Sequence, residues 1–331
     1  MRAISLGGAK ELLERSRDMR TMVTFHSVGD TDAVASAIGV AAYLNNAKVS
    51  TPDIITSNAR RMLRRLNYAD LIGNSFYDDA TFIVLVDANN FESCGAFKQR
   101  LKGFRGTALV LDHHASSTIS GGAEIFVFDS EEFTSASGIV YELLKATGFG
   151  IERRLATLLA LGIVADSAEF KNANAMSFRH LGELLALAGK DYASLMHEFG
   201  SVPGAEARMR AAECLRAAQM EIRGGMFFVH GVAAGAANIC ADYALKAGAD
   251  IALFVSEREN EVSFSARMRP PLDRQTGIHM GRIMARLAPI IGGTGGGHPC
   301  AAGAYGPANA HKSEFVAAFE EMVFGEGARR G

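Results

Sequence analysis

The sequence predicts an α/β protein of two domains. The first is an N-terminal, mainly parallel sheet with flanking helices over residues 1–190, and the second is a smaller C-terminal α/β domain over 224–331. Three observations carry this. Short apolar runs alternate with helix-period stretches through the first part of the chain, the mark of a sheet with crossover helices. The same alternation restarts after residue 223. A chain of 331 residues is also long enough for two domains of ordinary size.

In chain order, strands are predicted at "TMVTF", "VSTPDIIT", "ATFIVLV", "TALVL" and "AEIFVF". They are short, rich in β-branched and aromatic residues, and bounded by turn residues. Helices are predicted at "DAVASAIGVAAYLNN", "NARRMLRRLNYA", "SASGIVYELLKATG", "IERRLATLLALGIVA" and "AMSFRHLGELLALAG". In the last, Phe178, Leu181, Leu184, Leu185 and Ala188 recur at helical spacing, and Gly189 closes the run as a C-terminal glycine does. Residues 191–223 read as a connector with a helical arm, "DYASLMHEFG" and "EARMRAAECLRAAQMEIR", broken between by Gly200, Pro203 and Gly204. The second domain then runs "MFFVHGV", "ANICADYALKAG", "DIALFVS", "EVSFSARM", "IHMGRIMARLAPIIG", a glycine cluster and "SEFVAAFEEMVFG".

Bulk composition narrows the function classes. Hydrophobic residues make up 48% and charged residues 21%, the balance of a soluble globular chain. A net charge of −2 excludes a uniformly basic nucleic-acid coat, so any polyanion must be met by a local patch. Cys94, Cys214, Cys240 and Cys300 lie far apart with no CxxC pair, which fits reduced thiols in the cytoplasm. Charges interrupt the N-terminus too early for a signal peptide, and no apolar run reaches the roughly 18 residues of a membrane span.

The chemistry gathers where strands end. "HSVGDTDAVAS" supplies His26, Asp30 and Asp32; "VDANN" supplies Asp87; "LDHHASS" supplies Asp112, His113 and His114; "GIVADSAEF" supplies Asp166. In parallel sheets, ligands bind beyond the carboxyl ends of strands. Asp30 or Asp32 alone reads as a helix cap, and an isolated His pair as a loop feature. Four coincident deposits are harder to explain that way. Carboxylates converging on one crevice repel unless some keep a proton. Two divalent cations remove that conflict, and Asp oxygens with a minority of imidazoles suit manganese, with magnesium or cobalt as alternatives, better than sulfur-bound zinc. Such a pair, about 3.5–4 Å apart, clamps a phosphate and acidifies a bridging water to a pKa of about 7.

The C-terminal half offers anion-binding material. "GGTGGGHPCAAGA" packs glycines, including Gly295, Gly296 and Gly297, ahead of His298. Such density lets backbone N–H groups approach a phosphate, although it matches neither the GxxxxGK[ST] nor the GxGxxG signature, and a surface loop has the same composition. Upstream, Arg258, Arg267, Arg269, Arg274, Arg282 and Arg286 stand against only three acids. Arg267, in the alternating strand "SFSARM", is placed to fork onto a phosphate, though exposed arginines are more often plain surface residues. Phe264 and Tyr305 are candidates for stacking a base.

These motifs, in this order and over nearly the whole chain, resemble the DHH phosphoesterase superfamily in its branch with a DHH-associated C-terminal domain. "TSASGIVYELL" is similar to the helix following the DHH strand there. The resemblance implies one metal held by His26, Asp30 and Asp87, and another by Asp32, Asp87, His113 and Asp166, with Asp87 bridging. It implies that Asp112 orients a histidine, that His114 faces the transferring phosphate, and that Arg267, His298 and the glycine backbone hold the substrate's nucleotide or terminal phosphate, with the active site in the interdomain cleft. Gly29, Ala35 and Ser167 stand where the family commonly has Pro, Gly and Thr; none is an implied ligand.

The activity so implied is manganese-dependent hydrolysis of short single-stranded oligonucleotides, of the 3′–5′ exonuclease or nanoRNase type. The same scaffold also serves 3′-phosphoadenosine 5′-phosphate and cyclic dinucleotides. A homodimer is compatible with it, and no membrane is involved. A pyrophosphatase resembles only the N-terminal half. Two other classes compete with this reading. "DTDAV" fits the DxDx[TV] pattern of haloacid-dehalogenase phosphatases, whose first Asp is a covalent nucleophile. "HSVG" intervenes where that scheme needs an apolar strand, and His26, Asp87 and the DHH are left without roles. A non-catalytic nucleotide sensor would lack metal ligands that this chain keeps.

Overall fold

Strands buried on both faces determine where the helices of the N-terminal unit must go. The computed structural model describes residues 1–114, 118–167, 170, 172–199, 204–258, 261–308 and 311–325. The expected breaks at Gly200 and Pro203, the "ASS" after the DHH, Ala168 and Glu169 of "ADSAEF", and the side chain of Arg258 lie outside the described residues. The chain divides into two compact units, Met1–Ser201 and Val202–Gly331.

The first unit runs β1 (Arg2–Ala3), α1 (Leu6–Arg15), β2 (Thr21–Thr24), β3 (Val28–Gly29), α2 (Thr31–Tyr43), β4 (Ala47–Ser50), β5 (Ile54–Ile55), α3 (Ser57–Arg65) and β6 (Ile72–Gly73). It continues with β7 (Phe82–Val86), α4 (Lys98–Gly103), β8 (Thr107–Asp112), β9 (Glu124–Asp129), α5 (Ala136–Ala146), α6 (Arg153–Asp166), α7 (Ala175–Ala188) and α8 (Tyr192–Phe199). Seven strands form a wholly parallel sheet in the order β1-β9-β8-β7-β2-β4-β6. Phe82, Val84, Val86, Leu109 and Leu111 face the core made with α2, α5 and α6. Ile83, Leu85, Ala108 and Val110 face the opposite core, with Phe91, Phe97 and Leu101. This two-sided burial explains the uninterrupted apolar runs.

From β2 the chain winds outward through β4 to β6, then returns to lay β7, β8 and β9 on the other side of β2. The switch point therefore falls between β2 and β7, where α/β sheets open a ligand crevice. Helices α2, α5 and α6 pack closely because α2 is built from small residues. A Cβ at Gly39 would lie 2.7 Å from Val140 Cγ1 and 3.1 Å from Leu159 Cδ2.

Two expectations change here. "VSTPDIIT" is not one strand: after Ser50 the main-sheet strand stops short of Pro52, which lacks a donor, and Ile54–Ile55 leaves to pair in parallel with Val28–Gly29. Phe178 lies on the outer face of α7, 57% exposed, and stacks on Phe170 with ring centroids 4.9 Å apart. Elsewhere α7 follows its pattern, with an Asn174–Ser177 capping box at one end and Gly189 left-handed at the other.

The second unit contains α9 (Ala205–Ala217), β10 (Gln219–Arg223), β11 (Met226–Val232), α10 (Ala237–Lys246), β12 (Ile251–Arg258), β13 (Glu261–Met268), α11 (Leu272–Thr276), α12 (Met280–Leu287), β14 (Thr294–Gly297), β15 (Ala301–Pro307) and α13 (Lys312–Phe324). Its mixed sheet has the order β10-β11-β12-β13-β15-β14. One face carries Phe264, Ala266, Met284, Phe315 and Phe319; the other carries Val229, Ala241, Ala252 and Phe254. The helical arm ends at Ala217, and "QMEIR" is a strand. It pairs with β11 across Gly224 and Gly225, both at positive φ, so hairpin pairing overrides its helical propensity. No helix among the described residues is long and apolar enough to cross a membrane.

Replacing Gly39 by Val should overpack the α2–α5–α6 contact and destabilise the protein by about 1–3 kcal/mol, read as a lower urea midpoint. An unchanged midpoint would remove Gly39 as the determinant of that packing.

Candidate metal centre

Three strand ends and one helix end build the site. His26 follows β2, Asp87 follows β7, and Asp112 closes β8 with His113 and His114 behind it. Asp87 keeps the ladder through its N–H, which donates to Leu111 O at 3.0 Å. It then adopts φ +53°, a left-handed conformation that Asp tolerates better than most residues and that turns the chain out of the strand.

The carboxylate of Asp87, 5% exposed, is placed between two imidazoles. Oδ2 lies 3.4 Å from His26 Nε2 and Oδ1 lies 3.3 Å from His113 Nε2. His26 Nε2 is also 4.0 Å from Asp30 Oδ2, and His113 Nε2 is 2.9 Å from Asp166 Oδ2. These contacts have ion-pair distances without hydrogen-bond directions: Asp87 Oδ1, His113 Nε2 and Asp166 Oδ2 are buried and lack a hydrogen-bond partner. Three converging orphan atoms of this kind need an explanation, and a cation among them supplies one. Within the first unit, donor atoms lie close enough together to hold metal ions in three groups: His26, Asp30 and Asp87; Asp32, His113 and Asp166; and Asp87, Asp112, His113 and His114. Carboxylate and imidazole donors without thiolate fit a divalent ion of the manganese or magnesium type.

Asp30 and Asp32 serve structural and chemical ends together. Asp30 caps α2, with Oδ1 accepting from the N–H groups of Asp32 and Ala33 at 3.0 Å each, while Oδ2 faces His26. Asp32 is buried and accepts from Ala136 N at 2.6 Å and Ser137 N at 2.9 Å, the first N–H groups of α5. Gly162 on α6 leaves space for it: a Cβ there would lie 2.1 Å from Ser137 Oγ and 2.8 Å from Asp32 Oδ1. Asp166 ends α6, where the helix dipole disfavours negative charge and favours a cation.

Electrostatics agree with that need. Burial, then the charges of Asp87 and Asp166, push Asp32 well above the usual carboxylate range. Burial and Asp87 also raise Asp30. Burial would raise Asp87 as well, but His113 and His26 hold it well below that range. For His113, burial opposes protonation, yet Asp166 and Asp87 outweigh it and push the group up to about 11. His114 is raised by Asp112, whose Oδ1 lies 2.9 Å from its Nδ1, against the opposing effect of burial. Asp112 therefore steadies His114, which is 53% exposed, rather than His113.

The second unit has its own recess, a cavity of about 680 Å³ beside the start of α10, on the same face of the sheet as Ala252 and Phe254. Ser263, Ser265 and Arg267 alternate along β13, opposite Tyr305, Gly303 and Ala301 of β15. Arg267 Nε donates to Asp242 Oδ1 at 2.7 Å and Nη1 to Ser265 Oγ at 3.1 Å. Sequence-predicted residues divide here. Arg267, Gly295, Gly296, Gly297 and Tyr305 line the recess. Exposed His298 stands in the turn after β14 and is not among the lining residues; its N–H donates to Ala301 O. Phe264 lines it only from the backbone side, because its ring is buried against Phe315 at 4.0 Å. The glycines form an edge strand rather than a loop. A Cβ at Gly295 would lie 2.5 Å from Met284 O, and one at Gly281 would lie 1.9 Å from Gly297 O, so α12 sits directly on β14.

A parallel sheet whose switch point gathers carboxylates and imidazoles in this way is the architecture of a metal-assisted hydrolase. The DHH family N-terminal domain matches residues 20–163 and the DHHA1 domain matches residues 224–324. The chain belongs to the DHH superfamily of phosphoesterases, in the branch carrying the DHH-associated C-terminal domain. It is 26% identical over 321 residues to an uncharacterized protein of Methanocaldococcus jannaschii, covering 92% of each chain. It is also 26% identical over 159 residues to a probable manganese-dependent inorganic pyrophosphatase of Staphylococcus carnosus, covering 46% of this chain and 49% of that protein. In fold it is similar to an exopolyphosphatase-related protein from Bacteroides fragilis, with a TM-score of 0.75 and 17% identity over 96% of this chain and 94% of that one.

The roles of Gly162 and of the α5 N-terminus were not legible in sequence; only the serine cap at Ser135 hinted at the latter. Two outcomes are expected. Gly162→Ala should displace Asp32 and weaken manganese binding by about tenfold or more, measured by calorimetry, while a proper fold is retained. In the metal-free protein, Asp166 and Asp87 favour the protonated form of His113 at neutral pH. Its contribution to stability is full below the unfolded-state pKa of about 6.5 and lost as pH rises toward 11. Manganese should therefore release about one proton near pH 7 and bind more tightly as pH rises. A binding enthalpy independent of buffer ionisation would contradict this.

Proposed function

We propose that this protein is a two-metal, manganese-dependent phosphodiesterase that trims oligonucleotides of a few residues from the 3′ end. The observation that carries the reading is Asp87 standing between His26 and His113 with buried donor atoms left unpaired around it. One ion would be held by His26, Asp30 and Asp87, and the other by Asp32, Asp87, His113 and Asp166. When bound, such ions supply Lewis-acid charge and acidify a water to near neutrality.

The chain's own groups do the rest. Asp112 fixes the ring of His114 through Nδ1, which leaves Nε2 to donate to a phosphate oxygen. Asp112 raises the pKa of His114 against the effect of burial, which favours the charged form of that donor. Water oxygen bonds to phosphorus as the bond to the leaving sugar oxygen breaks, and the leaving oxygen takes up the equivalent of the proton that the water gives up. Arg267, steadied by Asp242, is assigned the substrate's terminal phosphate, and Tyr305 a base. His298 and the glycines of β14 are assigned backbone contacts to the same nucleotide. Four unpaired cysteines suit a cytoplasmic enzyme.

A second reading, hydrolysis of inorganic pyrophosphate, is favoured by the similarity to the probable pyrophosphatase of Staphylococcus carnosus. A turnover panel with manganese separates the two: pyrophosphate, a dinucleotide, a five-mer, a long single strand, 3′-phosphoadenosine 5′-phosphate and a cyclic dinucleotide. The dinucleotide and five-mer should be cleaved fastest. Asp87→Ala should abolish turnover with the fold kept. Arg267→Ala should raise KM about tenfold, in line with roughly 1.5–3 kcal/mol for a charged hydrogen bond. Preferred cleavage of pyrophosphate would replace this reading with the second.

A further inference from the structure

Charge in the recess of the second unit is sorted by position along one strand. Glu261, Ser263, Ser265 and Arg267 alternate along β13 and line the recess, while Val262 and Ala266 between them face the opposite core. Arg267 turns back along the strand: its Nε is tied to Asp242, and its Nη1 donates to Ser265 Oγ at 3.1 Å. From Ser265 to Glu261 is four residues, about 13 Å at the rise of a β-strand. The guanidinium therefore stands toward one end of the recess and the exposed carboxylate of Glu261 at the other. Among the described residues, no ion pair or hydrogen bond engages the Glu261 side chain. Tyr305 stands between the two ends. It is the direct partner of Ser263 on β15, two positions from Pro307, the partner of Glu261, so Tyr305 and Glu261 are diagonal neighbours within reach of each other's long side chains. The Tyr305 ring leans over Gly303, where a Cβ would lie 3.6 Å from Cε2, and the residue is 55% exposed.

We infer that Glu261 reads the edge of a base stacked on Tyr305 and selects guanine in the nucleoside next to the substrate's terminal phosphate. The inference rests on the phosphodiesterase reading above and narrows it. An ionised carboxylate only accepts hydrogen bonds, and it repels phosphate. A ligand anchored at Arg267 must therefore turn N–H groups, rather than a second anion, toward Glu261. One extended nucleotide spans the interval between the two ends, with its base against the exposed ring. Guanine alone presents two adjacent donors on its pairing edge, N1–H and the N2 amino group, and these match the two oxygens of one carboxylate. Adenine and cytosine set a ring-nitrogen acceptor beside their amino group, and uracil flanks its N–H with two carbonyls. Each of those turns a lone pair toward Glu261 and is disfavoured there.

The test measures kcat/KM for the 5′-phosphorylated dinucleotides pGpA and pApA, each as ribose and 2′-deoxyribose forms, in wild type and in E261Q. Glu261 is exposed, so the variant should fold, checked by melting temperature and by manganese affinity. Wild type should favour pGpA by about tenfold, the scale of one bidentate pair, and E261Q should lose that preference on both backbones. No guanine preference in wild type, or one that E261Q leaves unchanged, overturns the inference and leaves the phosphodiesterase reading standing. A preference for ribose over deoxyribose that E261Q removes whichever base is present assigns the carboxylate to the sugar and overturns the inference too. A wild-type enzyme that cleaves neither dinucleotide overturns both readings together.

Discussion

The burial of Asp87 is the constraint on which the rest of the N-terminal unit depends. A carboxylate taken out of water is strongly unfavourable unless paired. Here its two oxygens are each matched to an imidazole, and one of them still lacks a hydrogen bond. Nothing soft holds this arrangement. β7 and β8 are ladder-bonded through to Val86 and Leu111, and the left-handed turn at Asp87 begins only where that support ends. The strain is local, and it is imposed by strands buried on both sides.

Around that carboxylate the helices are oriented by charge. The N-terminus of α2 meets Asp30 and that of α5 meets Asp32, so two helix dipoles face acids as they should. The C-terminus of α6 delivers Asp166 against its own dipole. Helix ends therefore compensate part of the negative charge and leave a remainder. Asp30 also shows that a capping carboxylate can still face a candidate metal site, because Oδ1 accepts from the α2 N–H groups while Oδ2 turns to His26.

Legibility in the sequence follows the same physics. Strands such as "FIVLV" were readable because both faces are buried, and the metal-centre residues because charge at four strand or helix ends has few bland causes. What stayed hidden depends on partners distant in sequence. Gly162 looks like any helical glycine until Ser137 and Asp32 arrive beside it. "QMEIR" becomes a strand only through β11, and Ile54–Ile55 only through Val28–Gly29. The glycine cluster invited a loop reading because composition cannot distinguish room for a ligand from room for helix α12. Here Gly295 and Gly297 would collide with backbone, while Gly296 opens to free space.

The two units treat charge in opposite ways, and that bears on substrate length. The candidate metal centre keeps unneutralised carboxylates and so calls for positive charge from ions. The recess of the second unit holds Arg267 already tied to Asp242, with Glu261 also in its lining, and otherwise offers serines, a tyrosine and bare glycine backbone. Such a surface recognises by shape and hydrogen bonding more than by field. A long polyanion gains its affinity from many cationic contacts along its backbone, and neither this recess nor a net charge of −2 supplies them. Within its own unit the recess brings one guanidinium, Arg267, and one exposed ring, Tyr305, to the same lining, which is a short run of contacts rather than a long cationic track.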